Sequence, residues 1–290
     1  MIRWRIDLAY DGTAFHGWAE QPGLRTVQGE LERWLPQVLR LDQPVRLTVA
    51  GRTDAGVHAD AQVCHVDLPD EVDTSSLLHR LRRVLADDIA IRSITAAPEG
   101  FDARFSALWR RYRYRIWDDA SVRTPTRRHQ VAPAKGTLDV AAMQTAADLL
   151  RGLRDFAAFC KPRDGATTIR TLRRVAVERD EQGQVDTVLV ADAFCHSMVR
   201  SVMGALVAIG QHRRGLAWLE EVLTLDRRAS DITVMPARGL TLEAVGYPAD
   251  TDLAERAEQS RRHREPTELV EGAEIEVPDE LTDGVRLEDL

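Results

Sequence analysis

Two runs of alternating polar and apolar residues constrain the fold of this chain more than any other feature. Residues 3–10 alternate and end at Asp11-Gly12; Arg111-Tyr112-Arg113-Tyr114-Arg115-Ile116-Trp117 alternates again and ends at Asp118-Asp119. Period-two alternation marks a strand with one face buried, and the Asp-Gly step closes the first run as a turn. The 290 residues favour two structural units over one small module, and a strand of this kind opens each half. In the first half Thr26 caps a helix with Val27, Leu31, Trp34, Leu35 and Val38 on one face, which Pro36 is expected to kink or end early. Leu77, Leu78, Leu81, Val84 and Leu85 mark a second helix, with strands expected over residues 45–50, 61–68 and 89–94 and a loop over 51–56. In the second half residues 138–153, 196–209 and 216–225 read as helices, 172–178 and 185–191 as a hairpin, and 240–245 as a closing strand. The expectation is an α/β fold of the α+β type, in which two similar mixed halves with largely antiparallel sheets span residues 1–106 and 107–248. Residues 249–290, polar, acidic and broken by Pro266 and Pro278, are expected to form a flexible tail.

The formal charge of -7 is uneven. Residues 249–290 hold fourteen acids against five arginines, a local -9 that leaves the first 248 residues at +2. Within those, residues 103–133 carry eight arginines against Asp118 and Asp119, a basic strip suited to phosphate. Cys64, Cys160 and Cys195 form no C-x-x-C pair, so a reducing compartment is expected. The N-terminus lacks an apolar signal core and no stretch reaches the ~20 apolar residues of a membrane span. A cytoplasmic, soluble chain is predicted.

The densest chemical feature is Gly51-Arg52-Thr53-Asp54-Ala55-Gly56-Val57-His58, in which two glycines bracket an arginine and a carboxylate after a buried strand. Glycines there allow tight turns and close approach of a ligand. Taken alone, Asp54-Ala55-Gly56 also reads as a surface turn whose carboxylate bonds its own backbone. Tyr112 on its alternating strand reads as a core ring. Arg200, among Met198, Val199, Val202, Met203, Leu206 and Ile209, reads either as an arginine reaching water or as a buried charge that needs a partner. His58, Cys64 and His65 invite a metal reading, but residues 64 and 65 of a strand point to opposite faces and no second cluster at ligand spacing follows. No metal is expected.

The octet resembles the signature of the tRNA pseudouridine synthase A family. Other segments resemble family blocks in the same order: Tyr10-Asp11-Gly12 with Phe15-His16-Gly17-Trp18, the Thr26-Val27-Gln28 helix start, Phe101-Asp102-Ala103-Arg104-Phe105-Ser106-Ala107, the Tyr112 segment, Ala193-Phe194-Cys195-His196 through Arg200, and Pro236-Ala237-Arg238-Gly239-Leu240. The resemblance is read over about the first 248 residues. It departs at Trp18-Ala19-Glu20-Gln21, where an acid stands in place of a common positive charge, and at residues 81–88, where the family has an asparagine-containing segment ending in Leu-Pro.

The resemblance implies the pseudouridine synthase fold, its halves joined around a central active-site cleft. It implies conversion of uridine to pseudouridine at positions 38 to 40 of the tRNA anticodon stem-loop, with Asp54 as the catalytic residue. The target base leaves its stack first, and Arg52 resembles the residue that holds the altered backbone or fills the vacated space. Tyr112 then stacks on the detached uracil and relays its C5 proton, and Arg200 pairs with Asp54 to keep it ionised. The reaction breaks N1–C1′ and joins C5 to C1′ with no redox change, so no cofactor is expected. Whether Asp54 acts on the ribose or adds to C6 of the ring stays open. The implied partners are tRNA and a second copy of the chain in a homodimer. A relative modifying another RNA site, and an RNA-binding protein without chemistry, are the competing readings; an intact octet with Tyr112 and Arg200 speaks against the second.

Overall fold

The computed structural model describes residues 1–69, 72–163 and 165–262, with two-residue strands at Glu280–Leu281 and Val285–Arg286. In chain order the main elements are β1 (Ile2–Tyr10), α1 (Val27–Leu39), β2 (Thr48–Val49), β3 (His58–Leu68), α2 (Thr74–Val84), β4 (Ile89–Ala96), β5 (Trp109–Trp117), β6 (Ala132–Pro133), α3 (Val140–Leu149), β7 (Gly152–Asp155), β8 (Ile169–Arg179), β9 (Val185–Ala191), α4 (Met198–Gly210), α5 (Leu216–Leu223), β10 (Leu240–Gly246) and α6 (Leu253–Arg261). The fold is mixed α/β with largely antiparallel pairing, as the alternating runs predict. Two compact units divide the chain: Met1–Leu108 with Thr241–Arg261, and a unit built on Trp109–Leu240.

In the first unit β1 is central, antiparallel to β3 on one side and β4 on the other. Its alternation is visible in burial: Trp4, Ile6, Leu8 and Tyr10 are buried while Arg3, Arg5 and Asp7 are not. β10 lies parallel to the start of β3, pairing Thr241 with His58 and Leu242 with Ala59. Thr26 Oγ1 accepts the Gly29 amide at the head of α1, as the capping sequence predicts. Pro36 does not end α1 early, because it sits within one turn of the natural stop and removes a single helical donor. The helix closes at Arg40, in the left-handed region at φ 55°, with the Leu41 amide returning to the Pro36 carbonyl. The strand expected over residues 45–50 shrinks to β2, since the Leu47 amide is taken by the Glu32 carboxylate.

The second unit orders its strands β5-β9-β8-β7, antiparallel throughout, with β6 parallel to the end of β5. Every residue of α4 except Arg200 is buried, as an all-apolar helix requires. Gly204 permits its packing, for a Cβ there would lie 1.7 Å from the Thr233 carbonyl oxygen. The helix expected over residues 138–153 is shorter. Asp139 caps α3 through the Ala142 amide, and Gly152, at φ 96°, turns the chain into β7. Leu153 fits helical spacing but belongs to that strand.

Two expectations about organisation need revision. Residues 241–248 group with the first unit, not with the second half. Residues 249–262 are also folded: α6 buries Leu253 and Ala257, and the Leu253 carbonyl accepts the Ser106 hydroxyl at 3.0 Å. Leu253 packs with Phe101, Ala103, Ala107 and Tyr247 in one cluster, which is why a polar, acidic stretch is held. The rest of the expected tail, residues 263–279, 282–284 and 287–290, lies outside the described residues.

Candidate active site

The Gly51–Gly56 loop joins β2 to β3 and carries Arg52, exposed, and Asp54, half-buried. Its backbone is held from the segment that follows β1. The Trp18 amide donates to the Thr53 carbonyl at 3.0 Å and the Gly56 amide to the Phe15 carbonyl at 3.2 Å, while the Val57 amide closes a turn on the Asp54 carbonyl at 3.1 Å. Contact is close enough that Gly17, at φ 90°, admits no side chain: its Cβ would lie 2.7 Å from the Thr53 carbonyl oxygen. Backbone bonds therefore hold the loop that carries Arg52 and Asp54.

Buried polar groups complete the support. The Tyr10 hydroxyl lies 2.8 Å from Thr53 Oγ1, and Gln62 Nε2 donates to the Gly51 carbonyl at 2.8 Å. His58 is buried with Nδ1 accepting the Gly12 amide at 3.1 Å, and His65 is buried with Nδ1 accepting the Ala103 amide at 3.0 Å. Burial, then the nearby Arg3, lowers the His65 pKa. Burial likewise pushes the Cys64 thiol up, so it packs as a small apolar group. Among the described residues no three His, Cys, Asp or Glu side chains are grouped to hold a metal ion.

The second unit carries the other two candidates. Tyr112 on β5 pairs across the sheet with Leu189 and is 7% exposed, its ring 5.1 Å from that of Phe194 at an interplanar angle of 87°. Arg200, in the first turn of α4, donates through Nε to the Met235 carbonyl at 2.7 Å, and the Met235 amide returns to the Arg200 carbonyl at 3.1 Å. That pair sets the plane of the guanidinium. Tyr114, also on β5, donates its hydroxyl to the Pro236 carbonyl at 2.7 Å. Arg52 and Asp54 therefore share one loop of the first unit, while Tyr112 and Arg200 stand on separate elements of the second.

Both departures in the first unit have partners. Glu20 accepts Arg46 Nη1 at 2.7 Å, and Arg46 also reaches Glu32 at 2.9 Å, so the acid at position 20 sits in an ion-pair network. Asp88 takes Arg25 with both carboxylate oxygens, at 2.6 and 2.8 Å, and the Arg25 guanidinium lies 4.1 Å over the Phe15 ring. Sequence reasoning missed Arg25 and Gln62, and placed Phe194 in a family block without giving it a role. A polar Gln62 inside the apolar run of β3 was the one signal available.

The sequence model of the tRNA pseudouridine synthase family matches residues 146–248. The tRNA pseudouridine synthase A of Cutibacterium acnes is 60% identical over 271 residues, covering 93% of this chain and 97% of that one. That of Frankia casuarinae is 54% identical, covering 92% and 97%, and that of Mycobacterium leprae 48%, covering 88% and 93%. An alignment covering 93% of 290 residues cannot stop at residue 248, so the likeness extends past the point where the sequence reading ended it. Among solved structures, a chain of a Cbf5-Nop10-Gar1 complex aligns over 70% of this chain and 54% of its own at a TM-score of 0.31 and 9% identity, too slight a likeness to bear on fold or activity.

Proposed function

Because the chain belongs to the tRNA pseudouridine synthase A family, we propose that it isomerises uridine to pseudouridine in the tRNA anticodon stem-loop, with Asp54 as the catalytic residue. The observation that carries this reading is the fixed Gly51–Gly56 loop, which presents a half-buried carboxylate and an exposed guanidinium two residues apart. Asp54 acts on the ribose as nucleophile or base, or adds to C6 of the ring; N1–C1′ breaks, the uracil turns, C5 bonds to C1′, and whatever bond or proton Asp54 has taken is given back, which restores the free carboxylate. The C5 proton then leaves and N1 regains one. Atoms and electrons balance within the nucleotide, so the reaction calls on no cofactor.

The target base is extruded before it reacts, and Arg52, exposed beside Asp54, holds the opened RNA. For Tyr112 the family resemblance supports stacking on the freed uracil and passing on its C5 proton, and for Arg200 it supports keeping the catalytic carboxylate ionised. On this reading the enzyme works in the cytoplasm as a homodimer whose tRNA touches both subunits. No helix among the described residues is long and apolar enough to cross a membrane.

Tritium release from 5-tritiated uridine in transcribed tRNA tests the reading. Asp54→Asn deletes the charge at nearly constant size, so release should fall by roughly a thousandfold or more while tRNA affinity stays within about twofold, the missing interaction belonging to the transition state. Near-parental release from that variant would overturn the role of Asp54. Mapping pseudouridines in tRNA from cells with and without the gene would test the position.

A further inference from the structure

The loop bearing Arg52 and Asp54 rests on two buried side chains that the chemistry above leaves unused. Tyr10, the last residue of β1, is 5% exposed, and Gln62, within β3, is 0% exposed. Gln62 Nε2 donates to the Tyr10 hydroxyl at 3.1 Å as well as to the Gly51 carbonyl at 2.8 Å, and its Oε1 takes the Val63 amide at 3.3 Å. An amide nitrogen only donates, so the phenol oxygen accepts from Gln62, and it shares a second hydrogen bond with Thr53 Oγ1 at 2.8 Å in which either hydroxyl can donate. The chain of bonds runs Gln62, Tyr10, Thr53. Burial pushes the Tyr10 phenol up to about 12, so it keeps its proton near neutral pH.

Thr53 is the residue between Arg52 and Asp54. Its carbonyl is held by Trp18 and its side chain by Tyr10, so two bonds from separate segments immobilise one residue. A residue clamped at both ends of its polarity fixes the backbone on either side. We propose that Tyr10 is a positioning residue for the isomerisation: its hydroxyl, aimed by Gln62, holds Thr53 and thereby sets where Asp54 and Arg52 stand. This rests on the roles given above to Asp54 and Arg52.

Filling the core does not require the hydroxyl. The Tyr10 ring packs against Phe15 and Trp18, with centroids 6.5 and 6.1 Å away, and phenylalanine would keep those contacts. Tyr10→Phe therefore isolates the hydrogen bond. With the full chain and tritium release as the assay, Tyr10→Phe should lower kcat about tenfold or more, as a slackened catalytic geometry does, with KM for tRNA within about twofold. Thr53→Val, which removes the partner hydroxyl, should lose about as much, and Thr53→Ser should restore most of it. The Tyr10→Phe/Thr53→Val double variant should lose no more than the worse single variant, because both delete the same bond.

Parental kcat in Tyr10→Phe, losses that multiply in the double variant, or a Thr53→Ser as poor as Thr53→Val would each overturn the proposal. A change confined to KM, or a fall in Tm with unchanged kcat, would likewise show a tRNA-docking or purely structural role. The Thr53 pair keeps the test open if Tyr10→Phe folds poorly. Release from Asp54→Asn, measured beside these, separates failure of the positioning role from failure of the activity it serves.

Discussion

Asp118 looked in the sequence like the acidic end of a strand and is instead a carboxylate bonded on both oxygens. Arg179 grips both of its oxygens at 3.0 and 2.7 Å, and the Leu138 and Ala120 amides and the Ser121 hydroxyl add bonds at 2.8, 3.0 and 3.1 Å. Burial alone would raise its pKa, but Arg179 and the other donors outweigh burial and bring it from 3.8 to about 2. A depressed folded-state pKa means stabilisation that is complete above the unfolded value and is lost as pH falls through the folded one. The window is therefore about pH 4 to 2, and the shift is worth about 2 kcal/mol. Urea-unfolding free energies of the parent and Asp118→Asn should differ at pH 7 and converge by about that amount toward pH 2. A gap that stays constant across the window would mean that the pairing with Arg179 carries none of the stability.

At the scale of elements, α6 marks where the chain can be shortened. Truncation after Pro248 removes Leu253 from the core, worth about 2 kcal/mol, and the Ser106 bond, worth about 1 kcal/mol. The expected Tm falls by roughly 5–10 °C, whereas a chain ending at Arg262 keeps α6 and should melt near the parent; equal melting of the two would show that α6 adds nothing. The basic strip is likewise re-sorted by structure. Arg110 is buried on the Asp192 carbonyl and Arg113 pairs with Asp186 at 3.0 Å, whereas Arg123, Arg127 and Arg128 stand on an exposed segment that contains no acid from residue 120 to 138. Phosphate contact is expected from those three. Each alanine substitution there should reduce the salt slope of tRNA binding by about one, and Arg110→Ala should not. The reverse pattern would return the RNA contact to β5.

For the whole molecule, legibility followed distance along the chain. β1 and β5 could be read because alternation is local, as could the Thr26 cap, whose partner Gly29 is three residues on. The supports of the candidate site could not, because Tyr10 and Gln62 are 52 residues apart and Arg25 and Asp88 are 63 apart, and such pairs leave no periodic trace. The destination of β10 was hidden for the same reason, since its register is set by His58 and Ala59. That strand has a consequence for synthesis. The Trp109–Leu240 stretch of the second unit, with β5 to β9, is made without interruption, whereas the first unit, begun earlier, is completed only by Thr241–Arg261. At translation rates of about 5–20 residues per second, the 132 residues from Trp109 to Leu240 take on the order of ten seconds to make. Through that interval β3 lacks its parallel neighbour, and Phe101, Ala103 and Ala107 lack the Tyr247 and Leu253 side chains that cover them. The portion translated first thus waits for residues made more than a hundred positions later to cover its apolar surface.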